Sequence, residues 1–168
     1  KDINKKPVYN IKKDEKEPEV FFALKQVQEN IKKSFKVKPS NRHEITSQVA
    51  NILNNTFPKY IIMTDIECFF ESIPHVKLKS KLNKNYILNT QSKEIIFQIL
   101  DQYSDLTGND KGIPRGIGIS SYLAELYMRD IDNKIKALPN ITYYARYVDD
   151  IILIFTPNTK YDQGNYKN

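Results

Sequence analysis

Two aspartates stand side by side in a segment that is otherwise typical of buried β-strand. The segment YYARYVDDIILIF runs from Tyr143 to Phe155, with Asp149 and Asp150 in its middle. Aspartate is a poor strand former, and taking two adjacent carboxylates out of water is costly. A solvated turn explains the pair, but a bound cation explains it better, because Mg²⁺ prefers carboxylate oxygens. The pattern makes both residues candidate metal ligands.

A third candidate carboxylate lies at the end of another apolar segment. In KYIIMTDIECFF a predicted buried strand ends at Asp65, and the pair Phe69-Phe70 follows. A strand end can hold a carboxylate rigidly in a cleft, although an aspartate there also commonly caps the next turn. Aspartates on neighbouring strand ends could hold two Mg²⁺ ions about 3.5–4 Å apart, the arrangement that supports in-line phosphoryl transfer.

The residues around Asp149 predict a tight hairpin turn without the usual glycine. Val148-Asp149 would join strands over 142–146 and 151–155. Two-residue turns usually contain Asn-Gly or Asp-Gly because the central residues need positive φ. Other contacts must therefore hold this turn, and such a departure from local rules is expected at a functional site. Arg146 either pairs with a nearby carboxylate or contacts nucleic acid.

A Gly-rich segment, KGIPRGIGISSYLAELYM, supplies the third motif. Its glycines Gly112, Gly116 and Gly118 let the backbone approach a ligand closely, and the N-terminus of the helix that follows favours negative charge. Ser120 or Ser121 is predicted to cap that helix. Taken alone, the segment also fits a plain helix entry, since neither a dinucleotide-binding loop nor a P-loop is present.

Helices and strands must position these groups, and apolar periodicity locates them. Helices are predicted over 18–35, over 45–56, around 95–103 and after the Gly-rich loop. SFKVKPSNRHE reads as an exposed strand or hairpin arm, and the lysine runs at 5–16 and 77–84 as solvated faces. The last helix carries one apolar face, made by Leu123, Leu126, Ile131, Ile135 and Leu138.

Composition narrows the function classes. The 168 residues are 40% hydrophobic, enough for one core, and the formal net charge of +6 favours a polyanionic partner, although a solvated basic surface is the alternative. Cys68 is the only cysteine, which excludes an intrachain disulfide, fits a reducing cytosol and predicts a small buried side chain. His75, after a proline, is interpreted as structural. No apolar run approaches the ~20 residues of a membrane span, so a cytoplasmic protein without membrane contact is expected.

Together the three motifs resemble those of the reverse transcriptase palm. DIECFF, GIPRGIGISSYL and YVDD occur in the family's order and spacing, and the similarity covers roughly residues 30–156. Their co-occurrence is far more specific than any one of them. PKYIIMTDIECFFESIPH and RGIGISSYLAELYM are most similar to the prokaryotic group that includes retron, abortive-infection and defence-associated enzymes.

The resemblance implies metal-binding, catalytic or nucleotide-selecting roles for five positions. Asp65 and Asp149 match the two metal-binding aspartates, and Asp150 matches their less directly involved neighbour. The Ile66 carbonyl is implied as a further metal ligand. Phe70 matches the aromatic steric gate that blocks a 2′-hydroxyl and selects deoxynucleotides, whereas the residues alone would place both Phe69 and Phe70 in the core.

Other matched positions are implied to bind substrate. Gly116 and its loop line the nascent base pair, and Tyr147 supports the primer end. Arg115 stands where many members carry glutamine, which implies an altered contact to template or incoming nucleotide. The family's fingers supply cations to the triphosphate or template, and the candidates are Lys36, Lys38 and Arg42.

The expected fold is α/β (α+β), a palm whose antiparallel sheet carries Asp65 and Asp149 and is backed by helices, with part of a fingers subdomain. The predicted divisions are a basic arm over 1–17, fingers-like helices over 18–58, the palm over 59–156 and a polar tail over 157–168. The chain has no counterpart of the family's thumb. That implies a longer protein, a partner chain or lost catalysis.

The resemblance implies an RNA-directed DNA polymerase of antiphage defence that uses two Mg²⁺ ions, with Mn²⁺ as a possible substitute. Its partners would be an RNA template, a DNA or RNA primer and deoxynucleotides, with a structured non-coding RNA, a partner chain or self-association as further options. Two alternatives remain. One is an RNA polymerase, against which Phe70 argues; the other is an RNA-binding or assembly module that no longer polymerises.

Overall fold

The computed structural model describes residues 2–3, 6–9 and 18–156, and the chain divides into two compact units. The first unit comprises Lys1–Pro39 and Cys68–Met128, and the second Ser40–Glu67 and Arg129–Asn168. The polar tail over 157–168 and most of the arm, including most of the lysine run at 5–16, lie outside the described residues. The elements in chain order are β1 (Asp2–Ile3), β2 (Lys6–Pro7), α1 (Pro18–Phe35), α2 (Arg42–Leu53), β3 (Tyr60–Thr64), α3 (Phe69–Ser72), α4 (His75–Asn83), α5 (Thr90–Thr107), α6 (Gly118–Lys136), β4 (Ile141–Tyr147) and β5 (Asp150–Phe155).

The first unit is built on amphipathic helices. Helix α1 has the predicted bounds and buries Val27, Ile31 and Phe35 at helical spacing. Helix α5 is longer than predicted. The Asn89 side chain accepts a hydrogen bond from the Ser92 N–H at its start, and Gly108, at φ 69°, ends it in the left-handed conformation. None of the helices within residues 18–156 is long and apolar enough to cross a bilayer.

Helix α4 was not predicted, because its lysines hid two apolar positions. Leu78 and Leu82, four residues apart, are completely buried. Lys81 is not simply solvated either, since its ammonium group donates 2.7 Å to the Leu126 carbonyl. A lysine-rich segment therefore forms a core helix here, in which only His75, Leu78 and Leu82 are buried.

The second unit contains the predicted antiparallel sheet, and its strand order is β3-β5-β4. Strand β5 is central, and its Ile151 pairs with Thr64 on one side and with Arg146 on the other. The prediction that β3 is buried was wrong, because Tyr60, Ile61, Ile62 and Met63 are 39% to 78% exposed. Within the described residues β3 is an edge strand, and an edge strand can be apolar without being enclosed.

The prediction of an exposed strand or hairpin arm after α1 was wrong. The segment after α1 forms no strand: Lys36 has φ 52°, and Val37 is buried between the exposed Lys36 and Lys38. One inward-facing residue in a loop produced the alternation that resembled a strand.

Helix α6 begins at Gly118, so neither predicted serine caps it. Ser120 lies inside the helix and donates 2.6 Å to the Pro114 carbonyl. The apolar face of α6 is also shorter than predicted. Leu123 and Leu126 are buried, whereas Ile131 and Leu138 are 39% and 53% exposed.

We expect Gly112→Ala to destabilise the protein by about 2–4 kcal/mol, and Gly108→Ala by about 1 kcal/mol. Both glycines have positive φ, but a Cβ at Gly112 would lie 2.7 Å from Cε1 of the buried Tyr103 and 3.2 Å from the Glu71 carbonyl oxygen. A Cβ at Gly108 would meet nothing within 4 Å. Thermal denaturation of the two variants separates the two effects. Gly112→Ala combines backbone strain with steric overlap, whereas Gly108→Ala causes backbone strain alone. Equal losses would contradict the packing at Gly112.

Candidate active site

The end of β3 and the β4–β5 turn lie against each other. Thr64, the last residue of β3, pairs with Ile151, and Asp65 follows it directly in the sequence. Beyond it, the Ile66 N–H donates 3.1 Å to the Asp149 carbonyl, which continues the antiparallel alignment past the strand. Asp65 and Asp149 are therefore neighbours at the backbone, although they are distant in sequence.

The turn itself is strained as the sequence predicted. Tyr147 pairs with Asp150, which leaves Val148 and Asp149 as a two-residue turn. Val148 has φ 58°, an unfavourable conformation for a β-branched residue. Strain of this kind costs about 1–3 kcal/mol and persists only when surrounding contacts impose it.

Arg146 provides those contacts from the preceding strand. Its Nη1 donates 2.8 Å to the Val148 carbonyl, which fixes the turn directly. Its Nε and Nη2 donate 3.0 and 2.9 Å to the two carboxylate oxygens of Asp132 on α6. Arg146 is only 4% exposed. The reading of Arg146 as the partner of a carboxylate is confirmed, and its planar fork serves three bonds that a lysine could not make together.

Asp132 anchors this arrangement, and the sequence analysis missed it. The Tyr144 hydroxyl also donates 2.6 Å to it, so the carboxylate accepts from two strand residues. Burial, followed by the hydrogen bond and the charge of Asp132, raises the pKa of Tyr144 well above its usual range. The sequence did contain a pattern that could have identified Asp132. Asp132 continues the four-residue spacing of the buried Ala124 and Met128, so a carboxylate falls on an apolar stripe.

Two candidate substrate-binding residues of the second unit meet near the turn. The Arg42 guanidinium, at the start of α2, lies 5.6 Å from the centroid of the Tyr147 ring, within cation–π range. Lys36 and Lys38 belong to the first unit, where both are exposed. The predicted roles of all four residues in binding primer, template or triphosphate remain predictions.

In the first unit, the two adjacent phenylalanines are separated by environment. Phe69 is 2% exposed, whereas Phe70 is half-buried, and their rings pack edge to face at 5.3 Å. Phe69 is thus a core residue, and Phe70 keeps part of its ring accessible. Cys68 was wrongly predicted to be buried. It is exposed, with φ 48° at the start of α3.

The Gly-rich loop is fastened along the segment that follows Phe70. The Ile113 N–H donates 2.9 Å to the Phe70 carbonyl, and the Gly112 N–H donates 2.7 Å to the Ile73 carbonyl. The buried His75 ring hydrogen-bonds the Gly112 carbonyl through Nε2. The structural interpretation of His75 is confirmed, and these bonds fix the loop relative to Phe70.

Arg115, in the same loop, points back to α3. Its Nε donates 2.7 Å and its Nη2 donates 3.0 Å to the two carboxylate oxygens of Glu71. Its guanidinium carbon lies 4.8 Å from the centroid of the Phe70 ring. The sequence analysis did not identify Glu71, because nothing in the local pattern links positions 71 and 115.

The described part of the N-terminal arm lies against Gly116. The Tyr9 N–H donates 2.8 Å to the Arg115 carbonyl, and a Cβ at Gly116 would meet Val8 Cγ1 at 2.6 Å. The Tyr9 ring packs 5.0 Å from Tyr103, and burial, followed by the charge of Tyr9, raises the pKa of Tyr103 to about 12. Gly116, at φ 92°, is thus required by the close approach of another backbone.

The predicted metal ligands do not form a closed cage in the described residues. Within the described ranges no three His, Cys, Asp or Glu side chains form a group that could hold a metal ion. Asp65 is exposed and Asp149 half-buried, so both carboxylates can be reached. Mg²⁺ keeps waters and substrate phosphates among its ligands, and few protein carboxylates are needed. The metal-binding roles of Asp65, Ile66, Asp149 and Asp150 remain predictions.

Comparisons with known proteins bear on the family and the fold of the chain. A family model described as reverse transcriptase (RNA-dependent DNA polymerase) matches residues 11–164. Among solved structures, apo telomerase from Candida Tropicalis, truncated from its C-terminal domain, matches with a TM-score of 0.57 at 14% identity. The match covers 83% of this chain and 34% of that one, so the chain spans about a third of that protein. The structural likeness concerns the fold alone.

No curated protein matches the chain. The mixed fold, with helices and a small antiparallel sheet, agrees with the expected palm and fingers architecture. The family match extends over most of the chain and includes all three motifs. The chain therefore belongs to the reverse transcriptase (RNA-dependent DNA polymerase) family.

Proposed function

We propose that the protein is an RNA-directed DNA polymerase that adds deoxynucleotides to the 3′ end of a primer on an RNA template. One observation carries the proposal. The hydrogen bond from Ile66 to Asp149 brings Asp65 and Asp149 together at adjoining strand ends. Membership of the reverse transcriptase family supports the same reaction.

The aspartates would hold the divalent cation that this family generally uses. Asp65, Asp149 and the Ile66 carbonyl are the proposed ligands, with Asp150 as the outer neighbour. Two Mg²⁺ ions, or Mn²⁺ in their place, would stabilise negative charge on the attacking and leaving oxygens. The protein's own contribution is positioning. The sheet holds the carboxylates, and Tyr147 would support the primer end beside them.

Phe70 is the proposed steric gate against ribonucleotides. Its ring is half-buried and backed by the buried Phe69, and its carbonyl accepts from Ile113 of the Gly-rich loop. A fixed aromatic ring of this kind can exclude a 2′-hydroxyl sterically. This favours deoxynucleotides and argues against an RNA polymerase. Gly116, in the same loop, would line the nascent base pair.

Phe70→Ala is expected to lower the preference for deoxynucleotides over ribonucleotides by about 100-fold, because a pocket that rejects by shape loses its wall. The measurement is kcat/KM for a deoxynucleotide and for its ribonucleotide on one RNA template. Phe69→Leu, a change in the core behind the gate, is the matched control and should retain the preference. An unchanged ratio in the Phe70 variant would remove the gate assignment.

The proposed partners follow from the reaction and the charge. An RNA template, a DNA or RNA primer and deoxynucleotides are polyanions, which suits a chain of formal net charge +6. A structured non-coding RNA, a partner chain or self-association could complete the assembly. Because its motif sequences are most similar to those of prokaryotic defence-associated enzymes, we propose a role in antiphage defence, in the prokaryotic cytoplasm.

Primer extension by the intact protein tests the proposal. Labelled primer on an RNA template, with deoxynucleotides and Mg²⁺, should be extended, and chelation of the metal should stop extension. RNA binding without extension under these conditions would instead favour an RNA-binding or assembly module. Extension with ribonucleotides at equal efficiency would favour an RNA polymerase.

A further inference from the structure

In the first unit, Arg115 contacts both the ring of Phe70 and the carboxylate of Glu71. Arg115 donates to both carboxylate oxygens of Glu71, at 2.7 and 3.0 Å, and its guanidinium carbon lies 4.8 Å from the Phe70 ring centroid. Two parallel bonds fix the plane of a guanidinium group as well as its position. The ring of Phe70 therefore packs against a cation whose orientation is set by Glu71.

Two further contacts involve the backbone and the ring of Phe70. Ile113 donates 2.9 Å to the Phe70 carbonyl, and the buried Phe69 packs edge to face at an interplanar angle of 68°. The Arg115 guanidinium adds a contact to the ring from the Gly-rich loop. A cation held over the face of a ring favours that ring orientation over the others.

Glu71 and Arg115 lie on two different segments, which their ion pair joins. Glu71 follows Phe70 in the short helix α3, whereas Arg115 lies in the Gly-rich loop. The side chains are 32% and 23% exposed, so the pair is only partly screened by water. It ties the segment that carries the gate to the loop proposed to line the nascent base pair.

We propose that the Glu71–Arg115 pair determines sugar specificity by holding the Phe70 ring in its excluding orientation. Arg115 is then a positioning residue that acts through Phe70 rather than by contacting the nucleotide. A glutamine, which many family members carry there, could neither make the same bidentate bond nor place a cation on the ring. The inference rests on the proposed polymerase function, because it presupposes Phe70 as the gate.

The test is the ratio of kcat/KM for a deoxynucleotide to kcat/KM for its ribonucleotide, measured with the intact protein on one RNA template. Arg115→Gln and Glu71→Gln are each expected to lower the ratio about tenfold. Arg115→Lys should lower it similarly, since an ammonium group lacks the planar fork. The double variant should lose no more than either single variant, because the two residues act as one unit.

A matched control breaks a different ion pair of the same unit. Lys79 on α4 pairs with Asp101 on α5, and Asp101→Asn removes that pair. This variant is expected to keep the wild-type ratio. Phe70→Ala, measured in parallel, reports on the gate itself.

The outcomes distinguish the role of the Glu71–Arg115 pair, here called the clamp, from the role of Phe70 as the gate. If Phe70→Ala lowers the ratio while the Arg115 and Glu71 variants keep it, the clamp is refuted and the polymerase proposal stands. If Phe70→Ala leaves the ratio unchanged, the gate and the clamp fail together. Equal losses with both kinds of nucleotide in the Arg115 variants would also overturn the inference, because they would indicate a general role in folding or catalysis.

Discussion

Asp149→Asn should reduce primer extension by at least about 10³-fold, since asparagine cannot supply the negative charge that the proposed divalent cation needs. The substitution keeps the size and shape of the side chain, and the Asp149 carbonyl can still accept from Ile66. The hairpin is therefore expected to keep its geometry. Single-turnover extension, with RNA binding measured alongside, separates lost chemistry from lost assembly.

Asp150→Asn is the matched control. Asp150 is the first residue of β5 and pairs with Tyr147, whereas Asp149 lies in the turn. Its substitution is expected to cost much less activity than that of Asp149. Asp65→Asn should resemble Asp149→Asn, and the double variant should be no worse than either, because residues that act as a unit are not additive. Extension that persists in the Asp149 variant would refute the metal assignment.

Asp132→Asn should destabilise the protein by about 3–5 kcal/mol, the usual effect of removing one partner from a buried ion pair. The Arg146 side chain is 3% exposed and would lose a carboxylate that now accepts its Nε and Nη2. An asparagine amide would also present N–H groups to a guanidinium that only donates. The thermal midpoint should fall, and extension should fall with it, because Arg146 also holds the Val148 carbonyl.

Tyr144→Phe is the control for this second prediction. It removes the 2.6 Å hydrogen bond to Asp132 but leaves the ion pair intact, so about 1 kcal/mol should be lost. Arg146→Lys keeps the charge without the fork and should lie between the two. If Asp132→Asn proved no worse than Tyr144→Phe, the pair would not be the main support of the turn.

The local features of this site were predictable because each depends on residues that are consecutive in the sequence. The tight turn at Val148-Asp149 and the strand that ends at Asp65 follow from strand patterns interrupted by charge. That the two would meet came from their match to a known set of motifs, and the Ile66–Asp149 hydrogen bond agrees with it.

The supporting contacts were not predictable, since they join residues far apart in sequence. Nothing in the neighbourhood of Arg146 identifies Asp132 as its partner, and a similar gap separates Arg115 from Glu71. The exposure of β3 was missed for a related reason. An apolar run predicts a strand, but whether another element covers it depends on the rest of the fold.

The left-handed backbone of Val148 lowers the stability of the fold, but it belongs to the turn that presents Asp149. A glycine at φ 58° would remove the steric conflict of a β-branched residue, although it would also give the unfolded chain more freedom. Proteins commonly retain such unfavourable conformations where a site needs them, and selection for thermostability alone tends to remove them. A substitution at position 148 made for heat resistance would therefore risk the rigidity with which the turn presents Asp149.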